Sequence, residues 1–210
     1  MAIENQDPGS AGVPPAHGAP KGWYSRRYLP HCDTPGLIQA ITFRLADALP
    51  KTVLQRLAAL DNDAERRRAI EAGMDAGYGA CYLRDARCAN IVEQSLFHGD
   101  GHRYRLLAWC IMPNHVHVLI EVMPGVSLAT ILQGWKSWTA KEINRVVGRQ
   151  GALWQRDYFD RFIRDDRHLA AVIRYIHANP VKAGLVSTPE QWRYSSARFE
   201  RAGETPALPR

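Results

Sequence analysis

The chain has 210 residues, of which 46% are hydrophobic and 23% are charged, a composition typical of one globular domain with tails or of two small domains. The longest nearly apolar stretches, such as 115–122, are too short to cross a bilayer, and residues 1–20 lack a basic start followed by an apolar run. Four cysteines without a CxxC pair exclude a zinc ribbon and a secreted disulfide scaffold. We therefore expect a cytoplasmic protein without a membrane segment.

The excess of positive charge lies in the second half of the chain. Residues 1–100 hold 11 Lys and Arg against 12 Asp and Glu, whereas residues 101–210 hold 16 against 9. Six arginines fall within the segment 156–193. Basic side chains gathered in one region attract a polyanion, and nucleic acid is the usual one. Charge alone does not separate such a surface from an ordinary solvated basic surface.

The chain begins with a predicted disordered tail over residues 1–22, which contain eight Gly or Pro and few bulky apolar side chains. Residues 23–200 are predicted to form the folded domain, and residues 201–210 a C-terminal tail. Within the domain, the β-branched and aromatic run 38–45 predicts the first strand. Apolar residues at helical spacing, followed by a polar continuation, then predict a helix over residues 54–73.

The middle of the chain contains its clearest elements. A helix is predicted over residues 85–97, with Asp85 as its N-cap. The apolar runs 104–112 and 115–122 predict two strands, which a short Pro-Asn turn joins. The sequence therefore predicts an antiparallel hairpin after this helix.

The last third of the domain alternates helix, strand and helix. A long helix is predicted over residues 127–147, a strand with a loop over 152–164, and a final helix from 165 or 166 to about 179, which Pro180 and Gly184 end. The whole order is strand, helices, two strands, helix, strand, helix. Such an order is typical of an α+β fold in which helices pack on an antiparallel sheet.

Two histidines alternate with valines on the second strand of the hairpin. Because successive side chains of a strand point to opposite faces, His115 and His117 project from the same face. The backbone thereby fixes the separation of two imidazoles, as a metal site requires. A His-x-His pair by itself is weakly specific, since one such histidine is often a hydrogen-bonded, partly buried side chain.

The final helix carries a tyrosine and an asparagine one turn apart. Tyr175 and Asn179 fall together on the flank of its apolar stripe. Each has an ordinary explanation, Tyr175 as a boundary aromatic and Asn179 as a C-terminal residue before a proline. Together with the two histidines, however, they supply two nitrogen ligands, one oxygen ligand and a latent nucleophile.

This set of side chains suits the cleavage of a phosphodiester. A divalent cation bound by two neutral imidazoles and an amide oxygen keeps open positions for phosphate oxygens. Tyrosine, with a reference pKa of about 10, becomes a nucleophile when it is deprotonated or aligned with an activated phosphorus. Its attack gives a phosphotyrosine and frees a sugar hydroxyl, so strand joining can follow by reversal. Imidazole ligands suit Mn²⁺ and oxygen ligands suit Mg²⁺, and we expect either ion.

Several runs of sequence, in a fixed order and spacing, carry a family resemblance. They are MPNHVHVL at 112–119, WQRDYFDR at 154–161 and YIHANPVKAGL at 175–185, together with the opening segment 26–49 and WRYSS at 192–196. As a joint pattern they closely resemble the REP-associated tyrosine transposases. These form a branch of the single-tyrosine HUH (histidine-hydrophobe-histidine) transposases of small insertion sequences.

The resemblance implies a ferredoxin-like α+β core of the HUH endonuclease type, whose central sheet carries the two histidines. It assigns His115 and His117 as metal ligands, Asn179 as the third ligand and Tyr175 as the nucleophile. Members of this branch cut single-stranded DNA beside short palindromic hairpins and stay attached to a 5′ end through tyrosine. The implied partner is single-stranded DNA with hairpins (repetitive extragenic palindromes), and the implied cofactor is Mg²⁺ or Mn²⁺.

Basic residues outside this set are candidates for phosphate contacts, which set affinity and salt dependence rather than sequence preference. These candidates are Arg26, Arg27, Lys136, Lys141, Arg156, Arg161 and Arg164. For any one of them, an exposed solubilising charge is an equally good explanation. The sequence leaves open whether the protein is a monomer or a homodimer.

Other interpretations compete with the transposase. A non-catalytic regulator on the same fold, which binds structured nucleic acid, explains the charge but leaves the four-residue set as a coincidence. A barrel hydrolase with a His-x-His pair needs about 250 residues and an eightfold strand–helix alternation, which this sequence lacks. A replication initiator or relaxase tends to carry additional regions. Tyr158 is the nearest rival nucleophile, although it has no ligand at the i+4 position.

Overall fold

The computed structural model describes residues 22–26, 29–33, 36–60 and 62–199. The predicted N-terminal tail, apart from Gly22, lies outside the described residues, as do Arg27 and the predicted C-terminal tail. Arg26 belongs to a described strand, but its side chain is not described.

Six strands form two antiparallel sheets in the described part of the chain. They are β1 Gly22–Arg26, β2 Leu29–Asp33, β3 Ile38–Arg44, β4 Tyr104–Ile111, β5 His115–Val122 and β6 Phe159–Phe162. β1 pairs with β2, and the other four strands form one sheet in the order β4-β5-β3-β6. The strand that carries the two histidines, β5, is therefore an inner strand between β4 and β3.

Five α-helices accompany this sheet among the described residues. They are α1 Lys51–Ala58, α2 Asp63–Asp75, α3 Ala86–His98, α4 Leu128–Val147 and α5 Asp166–Lys182. The prediction of a single helix over residues 54–73 is wrong, because the chain forms α1 and α2 there. Asn62 Oδ1 accepts from the backbone N–H of Glu65 over 3.2 Å, and this bond caps a second helix.

The ends of the other helices follow from their capping residues. Asp85 accepts from Arg87 N at the start of α3, as predicted, and Asp165 accepts from His168 N at the start of α5. α5 runs to Lys182, three residues beyond its predicted end at about Asn179. Pro180 has no N–H to donate back along the helix, but the next turn still forms, since Ala183 N donates to Asn179 O over 3.0 Å. The helix ends before Gly184, whose φ of +68° is left-handed.

The two faces of the large sheet are covered by different helices. Val116, Val118 and Ile120 of β5 point into the larger core with α3 and α4, whereas Leu119 points into a second core against Ile173 and Ile176 of α5. Because side chains alternate along a strand, the two histidines share the α5 face with Leu119. This arrangement of helices on an antiparallel sheet confirms the predicted α+β fold.

A third, small core brings α2 to the same face of the sheet. Leu57 of α1 packs with Ile70 and Met74 of α2, and Phe159 of β6 lies against them. Phe159 is paired directly with Thr42 of β3, so both side chains lie on the face that carries the histidines. No helix among the described residues combines the length and apolar character needed to span a membrane.

Candidate active site

The two histidines of β5 converge on one point beneath α5. His115 is fully buried and His117 is 3% exposed. Their Nε2 atoms lie 3.0 Å apart, and the ring centroids are 4.7 Å apart with the planes at 89°. The structure therefore brings both ring nitrogens to the same small volume, as the strand periodicity predicts.

Asn114 sets the orientation and the tautomer of His115. The Asn114 amide Nδ2 donates to the backbone oxygens of Met74 (3.2 Å) and Tyr78 (3.0 Å), which directs its Oδ1 toward the histidine. That oxygen accepts from His115 Nδ1 over 2.7 Å. The proton of the neutral ring is therefore on Nδ1, and the lone pair on Nε2 is available to a ligand.

Thr42 holds the second histidine in a matching way. It lies directly opposite His117 in the β3–β5 pairing, and its Oγ1 is 2.9 Å from His117 Nδ1. Burial lowers the pKa of His115 well below its ordinary value, with a smaller contribution from His117. Burial and then the charge of Lys182 lower the pKa of His117 to about 3. Both rings are thus neutral near pH 7, the state in which imidazole binds metals.

Tyr175 lies next to this histidine pair. Its ring centroid is 5.6 Å from that of His117 with the planes at 82°, and Lys182 Nζ stands 4.4 Å from the centroid of the tyrosine ring. Burial raises the pKa of Tyr175, and the carboxylates of Glu71 and Asp75 raise it further. The hydroxyl therefore keeps its proton at neutral pH in this structure.

The buried amide of Asn179 adjoins the tyrosine. Asn179 is 1% exposed, and its Nδ2 donates to the backbone oxygen of Tyr175 over 2.8 Å. The side-chain amide also acts to lower the pKa of Tyr175, against the larger effect of burial. Helical spacing alone predicted this neighbourhood, since positions i and i+4 lie one above the other.

Three charged residues of the site were not singled out from the sequence. Glu71 of α2 contributes to the raised pKa of Tyr175, and Asp75 Oδ1 lies 4.0 Å from His115 Nε2. Burial and then Glu71 raise the pKa of Asp75, while Lys182 opposes this shift. Lys182 follows Tyr175 by seven residues, about two helical turns, so the helical period places the two residues on the same face of α5. No sequence signal indicated that α2 packs against this face.

The histidine pair fits a divalent cation. Two ligand atoms at about 2.1 Å from one ion, in adjacent positions, are about 3.0 Å apart, and the two Nε2 atoms show this separation. Both rings are held at Nδ1 by other side chains, as metal-ligating histidines usually are. No group of three His, Cys, Asp or Glu side chains in the described ranges forms a ready-made metal cluster. The amide of Asn179 is the third donor that the resemblance implies.

Lys136 and Arg156, two of the predicted phosphate contacts, lie together. They line a surface cavity of about 530 Å³ between α4 and the segment before β6. Lys136 Nζ donates to the backbone oxygens of Gln155, Arg156 and Asp157 at 3.0, 3.1 and 3.4 Å. The ammonium group therefore holds this segment against α4, and a phosphate contact by either residue stays a prediction.

Arg161 and Arg164 form a second basic group. Both side chains are exposed. Burial lowers the pKa of His168, and the charges of the two arginines lower it further. Both guanidinium groups therefore lie near the start of α5. Lys141 is exposed on α4. The rival nucleophile Tyr158 is 4% exposed and belongs to the larger core, on the face opposite the histidines.

The chain is similar to known proteins in sequence and in fold. Residues 87–179 match the family model described as Transposase IS200 like. The matched segment contains both histidines, Tyr175 and, as its last residue, Asn179. A solved structure of a REP-associated tyrosine transposase bound to a REP hairpin shares the fold, with a TM-score of 0.54 and 16% identity over 88% of each chain. The chain thus has the α+β fold of that structure, and its segment 87–179 is similar to the Transposase IS200 like family.

Two curated relatives bear the name of REP-associated tyrosine transposases. A REP-associated tyrosine transposase homologue from Haemophilus influenzae is 33% identical over 107 residues, which cover 46% of this chain and 61% of the relative. A REP-associated tyrosine transposase from Escherichia coli is 25% identical over 93 residues, which cover 44% of this chain and 54% of the relative. The matches thus span between half and two thirds of each relative. They confirm the predicted resemblance to the REP-associated tyrosine transposases.

Proposed function

We propose that this protein is a metal-dependent single-strand DNA endonuclease and strand transferase that cleaves next to hairpin DNA. The observation that carries the proposal is the position of Tyr175, with its ring 5.6 Å from that of His117 and Asn179 one turn later on α5. A nucleophile, two neutral imidazoles and an amide meet in one place, within the segment that matches the transposase family.

In the proposed reaction, Tyr175 Oη attacks the phosphorus of a phosphodiester. A bond forms between Oη and phosphorus, the bond to the sugar 3′-oxygen breaks, and the DNA stays attached as a 5′-phosphotyrosine. The hydroxyl proton is released, and the departing 3′-oxygen takes up a proton. Since the phosphotyrosine conserves the energy of the bond, attack by another 3′-hydroxyl rejoins a strand.

Three side chains would hold the divalent cation: His115, His117 and Asn179. When bound, a Mg²⁺ or Mn²⁺ ion supplies positive charge against the phosphodiester oxygens. The second-half arginines and lysines support the proposal of a nucleic-acid partner, because exposed positive charge binds the phosphate backbone. The hairpin named with the structural neighbour suggests that hairpin DNA is this partner.

The test is a cleavage assay with a labelled single-stranded hairpin taken from the palindromes that flank the gene. It is run with Mg²⁺, with Mn²⁺ and with EDTA, on the wild type, Tyr175→Phe and Tyr158→Phe. We expect a covalent protein–DNA adduct that needs the metal, persists in Tyr158→Phe and disappears in Tyr175→Phe.

Two other outcomes would reject parts of the proposal. Hairpin DNA that is bound but never cut with either metal favours the non-catalytic nucleic-acid-binding regulator. An adduct that survives in Tyr175→Phe and is lost in Tyr158→Phe moves the nucleophile to the opposite face of the sheet. Hairpin binding should be unchanged in Tyr175→Phe, because the substitution removes one hydroxyl and no charge.

A further inference from the structure

The ammonium group of Lys182 stands beside the ring of Tyr175. Lys182 is the last residue of α5, and its Nζ lies 4.4 Å from the centroid of the tyrosine ring. The lysine is exposed, and among the described residues no ion pair within 4.0 Å joins it to a carboxylate. A positive charge next to the candidate nucleophile is therefore accessible to an anion from solvent.

The other side chains around Tyr175 do not favour an incoming phosphate. The two histidines are neutral near pH 7, because burial lowers the pKa of each. After burial, the carboxylates of Glu71 and Asp75 raise the pKa of Tyr175, so both bring negative charge toward its hydroxyl. A phosphodiester is itself an anion and approaches the hydroxyl against this charge. A cationic side chain at the same place offsets the repulsion.

The charge of Lys182 already acts on the groups that surround the tyrosine. After burial, it is the cause that lowers the pKa of His117, whose ring adjoins that of Tyr175. It also opposes the rise in the pKa of Asp75 that burial and Glu71 produce. The ammonium group therefore lies between the histidines, the carboxylates and the nucleophile.

The chemistry of a lysine suits a phosphate oxygen at this position. Its ammonium group has three donors on a flexible stem and binds phosphate as a point charge. A positive charge at the reacting phosphorus contributes most to the rate, because negative charge develops there in the transition state. A favourable interaction with the helix dipole explains a lysine in the last turn of α5, but it does not explain the contact with the Tyr175 ring.

We propose that Lys182 binds a non-bridging oxygen of the phosphate that Tyr175 attacks, and of the phosphotyrosine that results. This inference rests on the proposed function, because that function supplies the phosphodiester. It adds a phosphate-binding residue from outside the matched segment 87–179 to the nucleophile and the metal ligands.

The first test is the rate of adduct formation in a single turnover, with saturating labelled hairpin DNA and the metal of the cleavage assay. The wild type is compared with Lys182→Met, Lys182→Arg and Lys51→Met. Methionine retains an apolar stem without the charge, whereas arginine retains the charge. Lys51 is the matched control, since it is an exposed lysine at the start of α1. Thermal unfolding shows that each variant is folded at the temperature of the assay.

We expect Lys182→Met to slow adduct formation at least about tenfold. Lys182→Arg should stay within about threefold of the wild type, since arginine also binds phosphate, and so should Lys51→Met. A wild-type rate in Lys182→Met would overturn the inference. So would an arginine variant as slow as the methionine variant, because the shape of the side chain rather than its charge would then matter.

The second test measures hairpin binding without cleavage, in a Tyr175→Phe background and over a range of salt concentrations. Each phosphate contact on a single strand contributes about 0.7 to the slope of log affinity against log salt concentration. Adding Lys182→Met should reduce the magnitude of this slope by about that amount, whereas adding Lys182→Arg or Lys51→Met should leave it unchanged. Equal slopes with and without Lys182→Met would overturn the phosphate contact.

The two tests separate this inference from the proposed function. Adducts formed at the same rate by the wild type and Lys182→Met retain the proposed function and reject the role of Lys182. A salt slope that falls in Lys182→Met, without any adduct in the wild type, retains the phosphate contact and rejects the transferase.

Discussion

The Nδ1 atom of His115 donates to Asn114 Oδ1 over 2.7 Å, while the Nδ2 atom of the same asparagine donates to Met74 O and Tyr78 O. One buried amide thereby fixes the tautomer of His115, a candidate metal ligand, and also binds the backbone at the end of α2. We expect Asn114→Ala to reduce the free energy of unfolding by about 1–3 kcal/mol, because buried polar groups lose their partners. Mn²⁺ affinity should fall about tenfold or more.

Denaturant unfolding and Mn²⁺ titration check this prediction. Asn144→Ala is the matched control, since the Asn144 amide donates to Gly151 O at an exposed turn. It should cost less than about 1 kcal/mol and leave Mn²⁺ affinity unchanged. Equal losses of metal affinity in the two variants would contradict an orienting role for Asn114.

Thr42 offers a nearly isosteric substitution. Thr42→Val keeps the shape of the side chain and removes the Oγ1 atom that lies 2.9 Å from His117 Nδ1. We expect about tenfold weaker Mn²⁺ binding, because the ring loses the contact that holds its orientation. Thr42→Ser retains the hydroxyl and should bind Mn²⁺ within about threefold of the wild type. The hypothesis fails if the valine variant binds as tightly as the serine variant.

The buried histidines predict acid sensitivity of the metal-free protein. In the folded state their pKa values lie below the unfolded value of about 6.5, with that of His117 at about 3. Below pH 6.5 the unfolded chain therefore binds more protons than the folded one, and stability falls as the pH falls toward 3. The slope is up to about 1.4 kcal/mol per pH unit for each histidine.

Unfolding free energies measured in EDTA between pH 7 and pH 4 test this slope. His117→Phe removes one titrating group. It should reduce the slope of unfolding free energy against pH by up to the contribution of one proton, about 1.4 kcal/mol per pH unit. Identical slopes in the wild type and in His117→Phe would refute the assignment.

A pair of glycines tests the packing of the larger core. A Cβ atom at Gly99 would lie 2.5 Å from the Tyr104 ring, which is held between Leu96 O and the Trp135 indole by hydrogen bonds of 2.6 and 2.9 Å. Gly99→Ala should therefore cost about 1–3 kcal/mol. A Cβ at Gly134 in α4 meets no atom closer than 3.8 Å, so Gly134→Ala should gain about 0.5–1 kcal/mol. Urea denaturation midpoints would show shifts of opposite sign, and a stabilising Gly99→Ala would contradict this packing.

The regular elements could be predicted where a local pattern was strong. The apolar runs of β4 and β5 and the capping aspartate of α3 are signals contained within a few residues, and the structure has these elements. The break between α1 and α2 was missed, because it depends on the Asn62 cap rather than on the apolar spacing that runs through it. The end of α5 was missed because Pro180 removes only its own N–H, and the helix continues past it to Lys182.

The sequence by itself determined the local half of the candidate site. The two-residue period of a strand puts His115 and His117 on one face, and the helical period puts Tyr175 and Asn179 one turn apart. Only the tertiary structure decided that α5 packs on the face of the sheet that carries the histidines, and which other side chains lie beside the two pairs. Thr42 reaches His117 through the register of β3 against β5, and Asp75 reaches His115 because a separate small core packs α2 there. Such contacts depend on the packing of segments far apart in the chain, and no period within one segment encodes them.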